Sequence, residues 1–123
     1  MESDILQLAQ KVRKELIDDI LPFWIEKMTD ADNGGYYGQI TGNNDLITSA
    51  PKGGILNARI LWTFSAAYRA LGKEEYLDAA SRARDYIFKF FTDKEFGGIY
   101  WSVDYKGNPL DTKKQIYSLA FSI

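Results

Sequence analysis

The sequence predicts an all-α protein folded as an α/α toroid, and two observations carry that expectation. Thr29-Asp30-Ala31-Asp32-Asn33-Gly34-Gly35-Tyr36-Tyr37 returns 63 residues later as Thr92-Asp93-Lys94-Glu95-Phe96-Gly97-Gly98-Ile99-Tyr100, with Thr-Asp, an acid, Gly-Gly and Tyr in the same frame. A repeat of that period marks supersecondary units that bury their apolar faces only by stacking on one another. Helices with one charged face also alternate with helices that are apolar almost all round. Two concentric layers require that alternation, the outer ring wet on one side and the inner ring enclosed. A two-layer solenoid is the competing geometry, but it would leave both helices of each pair partly wet.

The first outer helix is expected from about Ser3, a suitable N-cap, with Ile5, Leu8, Val12, Leu16, Ile20 and Phe23 at helical spacing. Pro22 should kink or split it, because proline lacks an N–H and crowds the carbonyl four residues back, at Asp18. Tyr37–Thr41 and Asp45–Thr48 flank a Gly42-Asn43-Asn44 turn and read as a short hairpin or ordered loop. From Gly54 to Leu71 almost no polar face is left, so this helix should be buried on nearly all sides. Gly72 ends it. Glu74–Phe91 makes the second outer helix, with Tyr76, Ala80, Ala83, Ile87 and Phe90 inside and Glu75, Asp78, Arg82, Asp85 and Lys89 in water. A Lys106-Gly107-Asn108-Pro109 turn leads to a last inner helix expected from Thr112 or Lys113. That helix is still apolar at Ala120-Phe121-Ser122-Ile123, with no cap or breaker, so a truncated chain of about two helix pairs is expected.

The apolar fraction of 46% and a net charge of −2 place the chain among ordinary globular domains and argue against a phosphate-tracking surface. No nucleic-acid partner is expected. Without cysteine, disulfide and thiolate chemistry are excluded. No apolar run approaches a membrane span, and Met1-Glu2-Ser3-Asp4 lacks the basic start of a signal peptide, so no membrane partner and a cytoplasmic location are expected.

Arg59 lies in the middle of the predicted buried helix, where an unpaired guanidinium is costly to desolvate. Arg59, Trp62 and Thr63 share a helical face, which suits a polar ligand held by N–H donors beside an aromatic plate. The alternative is an ion pair with Asp30 or Asp104. Tyr117 offers a phenol from the second inner helix, although a buried tyrosine commonly just bonds nearby backbone. Tyr36-Tyr37 and Tyr100-Trp101 could stack on sugar faces or simply cover helix ends. Asp30, Asp32, Asp93 and Glu95 lack calcium-loop spacing and read as turn formers rather than metal ligands. No phosphate loop and no nucleophile elbow occurs, and there is no histidine.

The run Pro51-Lys52-Gly53-Gly54-Ile55-Leu56-Asn57-Ala58-Arg59-Ile60-Leu61-Trp62-Thr63-Phe64-Ser65 resembles the N-terminal third of the N-acylglucosamine 2-epimerase family, closest to its cellobiose 2-epimerase branch. Gly97-Gly98-Ile99-Tyr100-Trp101-Ser102-Val103-Asp104 and Lys114-Gln115-Ile116-Tyr117-Ser118-Leu119-Ala120-Phe121 share that resemblance, which spans nearly the whole chain. It implies an (α/α)6 barrel, of which two pairs are one third, and inversion at C2 of a reducing sugar through a cis-enediolate. No cofactor and no metal are implied. In the family two histidines on later helix pairs exchange the C2 proton, a task that suits imidazole. By motif, Arg59 would hold the oxygens at C1 and C2 and stabilise the enediolate, Tyr117 would bond the same end of the sugar, and Asn57 and Trp62 would support them. The resemblance leaves this chain without either proton carrier, so by itself it is expected to be inactive and to self-associate. A piece of another carbohydrate-active α/α barrel, a hydrolase or lyase with inward carboxylates, and a non-catalytic helical-repeat module are the other readings.

Overall fold

In a computed structural model that describes all 123 residues, the first outer helix winds as α1 (Glu2–Glu15), a π-helical turn (Leu16–Ile20) and α2 (Leu21–Glu26) without a break. Ser3 does not cap it. The Met1 carbonyl already accepts the Ile5 N–H at 3.1 Å, so winding runs straight through Ser3. Nor does Pro22 split it. The Leu21 N–H bonds the Leu16 carbonyl five residues back, and this wider turn just before the proline accommodates the ring and its missing donor.

The connection to the first inner helix carries the expected hairpin-like loop, reduced to one bridge between Ile40 and Leu46, with Asn44 in the left-handed region (φ 65°). The inner helix α3 (Gly54–Leu71) has the predicted bounds and stops at Gly72 (φ 72°). The second outer helix is α4 (Glu74–Tyr86) with a π-helical turn (Ile87–Phe91), and its inward and outward residues are those the periodicity assigns. The last inner helix, α5 (Ile116–Phe121), starts later than Thr112. A three-stranded antiparallel sheet takes up chain that had been expected to be loop or helix. It pairs β1 (Lys52–Gly53) with β2 (Ser102–Val103), and β2 with β3 (Pro109–Asp111).

α4 packs along α3, and α3 meets α5. Contacts between the inner helices rise along both in the same direction. Gly54 sits against Ser118 and Arg59 against Phe121, so the two run parallel as repetition of one unit demands. Leu21, Phe64, Tyr76 and Tyr36 knit α2, α3, α4 and the first Gly-Gly loop into one core, each apolar side chain contributing about 1.5–3 kcal/mol. A second cluster of Tyr86, Ile87, Phe91, Ile99 and Val103 ties α4 to the second loop and the sheet.

α1 contributes nothing to either core. None of its residues is buried, and Ile5, Leu8 and Val12 are 63%, 62% and 60% exposed, so the stripe predicted to face inward lies open. Likewise α3 is not enclosed all round: Trp62 is 73% exposed, and Arg59, Arg69 and Ala70 also face outward. The pattern is that of an α/α barrel, with the inner helix uncovered at Arg59 and Trp62 in this chain.

Candidate functional site

Each Gly-Gly loop is a turn built on one aspartate. The Asp30 Oδ1 accepts the N–H groups of Asp32 (3.1 Å) and Asn33 (2.9 Å), and the Asp93 Oδ1 accepts those of Glu95 and Phe96 (3.0 Å each). Both Gly-Gly pairs then run in the left-handed region, with φ between 65° and 83°. At Gly35 a side chain would also strike the Tyr86 ring, whose carbons lie 2.7 Å from where Cβ would stand. Asp30 and Asp93 are therefore turn formers, as expected, whereas Asp32 and Glu95 contribute only their backbone N–H groups to the turns.

The free oxygen of each aspartate receives a lysine from the strand or loop that feeds an inner helix. Lys52 Nζ donates to Asp30 Oδ2 at 2.7 Å and to the Gly34 carbonyl at 2.8 Å, both side chains fully buried. Lys114 Nζ donates to Asp93 Oδ2 at 2.6 Å in a more open setting. Burial pushes the Asp30 carboxyl up, but the Lys52 hydrogen bond, the two turn N–H groups and the lysine charge outweigh it and hold the carboxyl below its ordinary value. Asp93 is held low chiefly by Lys114. A carboxylate whose folded pKa is depressed stabilises the fold above its unfolded pKa and loses that contribution as pH falls through the folded value. Stability should thus be flat near neutrality and decline as pH drops below about 4. Urea midpoints at pH 7 and pH 3 check this, and in a Lys52→Met variant the decline should be shallower.

The first turn of α3 is anchored by the Gly54 N–H on the Trp101 carbonyl at 3.0 Å. A side chain at Gly54 would stand 2.8 Å from the Tyr100 carbonyl oxygen, so only glycine permits that approach. Five residues on, Arg59 emerges at the surface. It makes no ion pair with Asp30, which belongs to Lys52, or with Asp104, which caps its own turn through Asn108. The expected burial is the premise that fails: a hydrated guanidinium needs no anionic partner. Instead its Cζ lies 5.9 Å from the centroid of Phe121, whose ring meets Tyr117 edge-on at 4.9 Å. Arg59, Phe121 and Tyr117 form one ladder across α3 and α5. The sequence marks Phe121 only as part of an apolar helix end, because a terminal aromatic carries no signal that would place it beside Arg59.

Arg59 also lines a groove of about 550 Å³ with Trp24, Ile55 and Thr63. Trp62 does not share it. It lines a separate groove of about 400 Å³ beside Phe88 and Phe121, since its position on the helix turns it toward α5. Asn57 is 1% exposed and its Nδ2 donates to the Gly53 carbonyl at 2.9 Å, so it steadies the start of α3 from within. Tyr117 is 61% exposed and free of the backbone bond that a buried phenol would seek. Of the loop aromatics, Tyr36 is buried in the core, its hydroxyl donating to the Ala79 carbonyl in the body of α4 at 2.8 Å, while Trp101 is half-buried beneath Lys113. The groups brought together on the inner face are a forked donor, a phenol and apolar rings. Such a set can hold and polarise a polyhydroxy compound, and it includes no imidazole.

No helix of the chain is long and apolar enough to cross a membrane. The model of the N-acylglucosamine 2-epimerase (GlcNAc 2-epimerase) family matches residues 35–123. The chain is 60% identical over 116 residues to a cellobiose 2-epimerase of Bacteroides fragilis, covering 94% of this chain and 30% of that protein. Against a cellobiose 2-epimerase of Ruminococcus albus the identity is 45% with the same coverage. The solved structure of cellobiose 2-epimerase from Bacillus thermoamylovorans B4167 superposes with a TM-score of 0.90 at 46% identity, over 94% of this chain and 29% of the other. The chain spans about 30% of the length of the curated relatives it matches.

Proposed function

The chain belongs to the N-acylglucosamine 2-epimerase family, and from that premise we propose that its 123 residues form the first two helix pairs of an (α/α)6 barrel that inverts C2 of a reducing sugar, with cellobiose the preferred candidate. The observation that carries this reading is the Arg59–Phe121–Tyr117 ladder on the inner helices, within a segment 60% identical to a cellobiose 2-epimerase. In the reaction, removing the C2 proton of the open-chain aldose spreads negative charge over the oxygens at C1 and C2. Arg59 offers its N–H donors to that charge, and Tyr117 donates to an oxygen at the same end of the sugar. Trp62 bounds the neighbouring groove and Asn57 holds the helix that carries Arg59. The proton itself is exchanged by histidines on other helix pairs. A cytoplasmic setting is part of the same reading. The relatives reported above are epimerases, which favours it over a hydrolase, a lyase or a binding module.

Grafting tests it. This chain, put in place of the corresponding segment of the Bacteroides fragilis relative, should give a folded enzyme that epimerises cellobiose. A folded graft without that activity would overturn the proposal.

The open flanks have their own consequence. Ile5, Leu6, Leu8 and Val12 on α1, and Trp62, Phe88 and Phe121 between the inner helix and α4, leave apolar surface that drives association. Light scattering over a dilution series should show the chain alone self-associating, whereas a constant monomer mass would contradict it.

A further inference from the structure

We propose that Lys52–Asp30 and Lys114–Asp93 are equivalent positioning pairs, one per unit, that seat the first turn of each inner helix on its Gly-Gly loop and so determine where Arg59 and Tyr117 stand. The proposal rests on the reading of those two residues as sugar-binding groups. Asp30 and Asp93 occupy the same place in the repeat and divide their oxygens alike, Oδ1 to the turn and Oδ2 to a lysine. The lysines lie 22 and 21 residues further along. Each directly precedes the N-cap residue of its helix, Gly53 and Gln115, and neither cap residue bonds through a side chain.

Charge argues that the arrangement is geometric. A helix N-terminus carries partial positive charge and favours acids, so a lysine just before it is unfavourable by some tenths of a kcal/mol. It stands there in both units, each time drawn off toward the aspartate. Both ammonium groups also lie over a tyrosine ring, Lys52 over Tyr86 at 4.8 Å and Lys114 over Tyr100 at 5.3 Å. Glycine keeps the loop close: at Gly98 (φ 75°) a side chain would crowd Leu119 of α5, 3.1 Å from where Cβ would stand, and lie in contact with the Lys114 stem. From these clasped turns, α3 and α5 carry Arg59 and Phe121 to their contact. A clasp lost in the second unit should let the short α5 rotate or slide, and the ladder should open.

The second pair gives the cleaner test, because it is partly exposed and its loss should spare the fold. In the isotope-labelled chain the Phe121 ring current should shift the Arg59 side-chain N–H resonance, since the ring centroid lies 5.9 Å from the guanidinium carbon. Lys114→Met should keep the helical circular dichroism yet move the Arg59 N–H and the Tyr117 and Phe121 ring signals toward unstructured values, and Lys114→Arg should restore most of the shift. Asp93→Asn, which retains the turn-forming oxygen but removes the charge, should act like Lys114→Met and serves if that variant fails to fold. Unchanged Arg59 and ring signals in the folded variant, or a change confined to Gly97 and Gly98, would overturn the proposal. No sugar enters this measurement, so an inactive graft would refute the function and leave the pairs standing.

Discussion

In deuterated water with cellobiose, glucose or N-acetylglucosamine, the 123-residue chain by itself should exchange no C2 proton above background. General acid–base groups contribute about 10²–10⁴-fold each, and imidazole is the side chain whose ordinary pKa lies near neutrality. The chain has no histidine. The buried phenols do not substitute. Burial pushes Tyr36 and Tyr86 up to about 12, with Asp30 and Asp104 adding to the rise at Tyr86, so neither ionises at neutral pH. Arg59 and Tyr117 can hold and polarise a sugar, but holding without a proton carrier leaves C2 untouched. Exchange above background, tracked by loss of the C2 proton signal, would show that a carboxylate or phenol here carries protons after all.

The second large effect is on stability. Asp30→Ala should destabilise the chain by about 3–5 kcal/mol, because it strands a buried ammonium and removes the acceptor for two turn N–H groups at once. Lys52→Met should cost less, since the aspartate left behind keeps those two N–H bonds. The half-open pair in the second unit should cost less again, because water can solvate what remains when Lys114 is removed. Urea denaturation of the three variants gives the order directly. Equal costs would mean that burial of the first pair has no energetic weight.

Much of this architecture was legible in the residues. The 63-residue return of the Gly-Gly element located both loops, and the apolar run from Gly54 to Leu71 gave α3 its observed bounds because Gly72 is a clear left-handed stop. Periodicity reads the face a helix is built to bury, however, and not whether a neighbour is there to cover it. That is why α1, Arg59 and Trp62, read as inward, lie open here. The late start of α5 was hidden by Thr112–Gln115, whose side chains do not forbid a helix. The sheet pairing of β2 with β3, which runs to Asp111, and the reach of Lys114 to Asp93 hold those residues extended instead. The two lysine–aspartate pairs were missed although a signal existed: aligning the units puts a lysine before both inner helices, where the helix dipole would prefer an acid. Arg59 stands out in the sequence as a charge on a helix read as buried, a burial the fold does not give it. Its exposure, not a hidden anion, resolves the cost of its charge.

The most direct test of the account is Arg59→Leu in the graft with the Bacteroides fragilis relative, with turnover of cellobiose and thermal midpoint measured together. A guanidinium placed for the enediolate is worth about 3 kcal/mol in the transition state, so kcat should fall about a hundredfold or more. The midpoint should stay within about two degrees, because Arg59 holds no ion pair within this segment and would face the sugar cavity of the whole barrel rather than its packed core. Unchanged kcat, or a loss of activity that merely follows a large fall in the midpoint, would contradict the placement of Arg59 at the sugar.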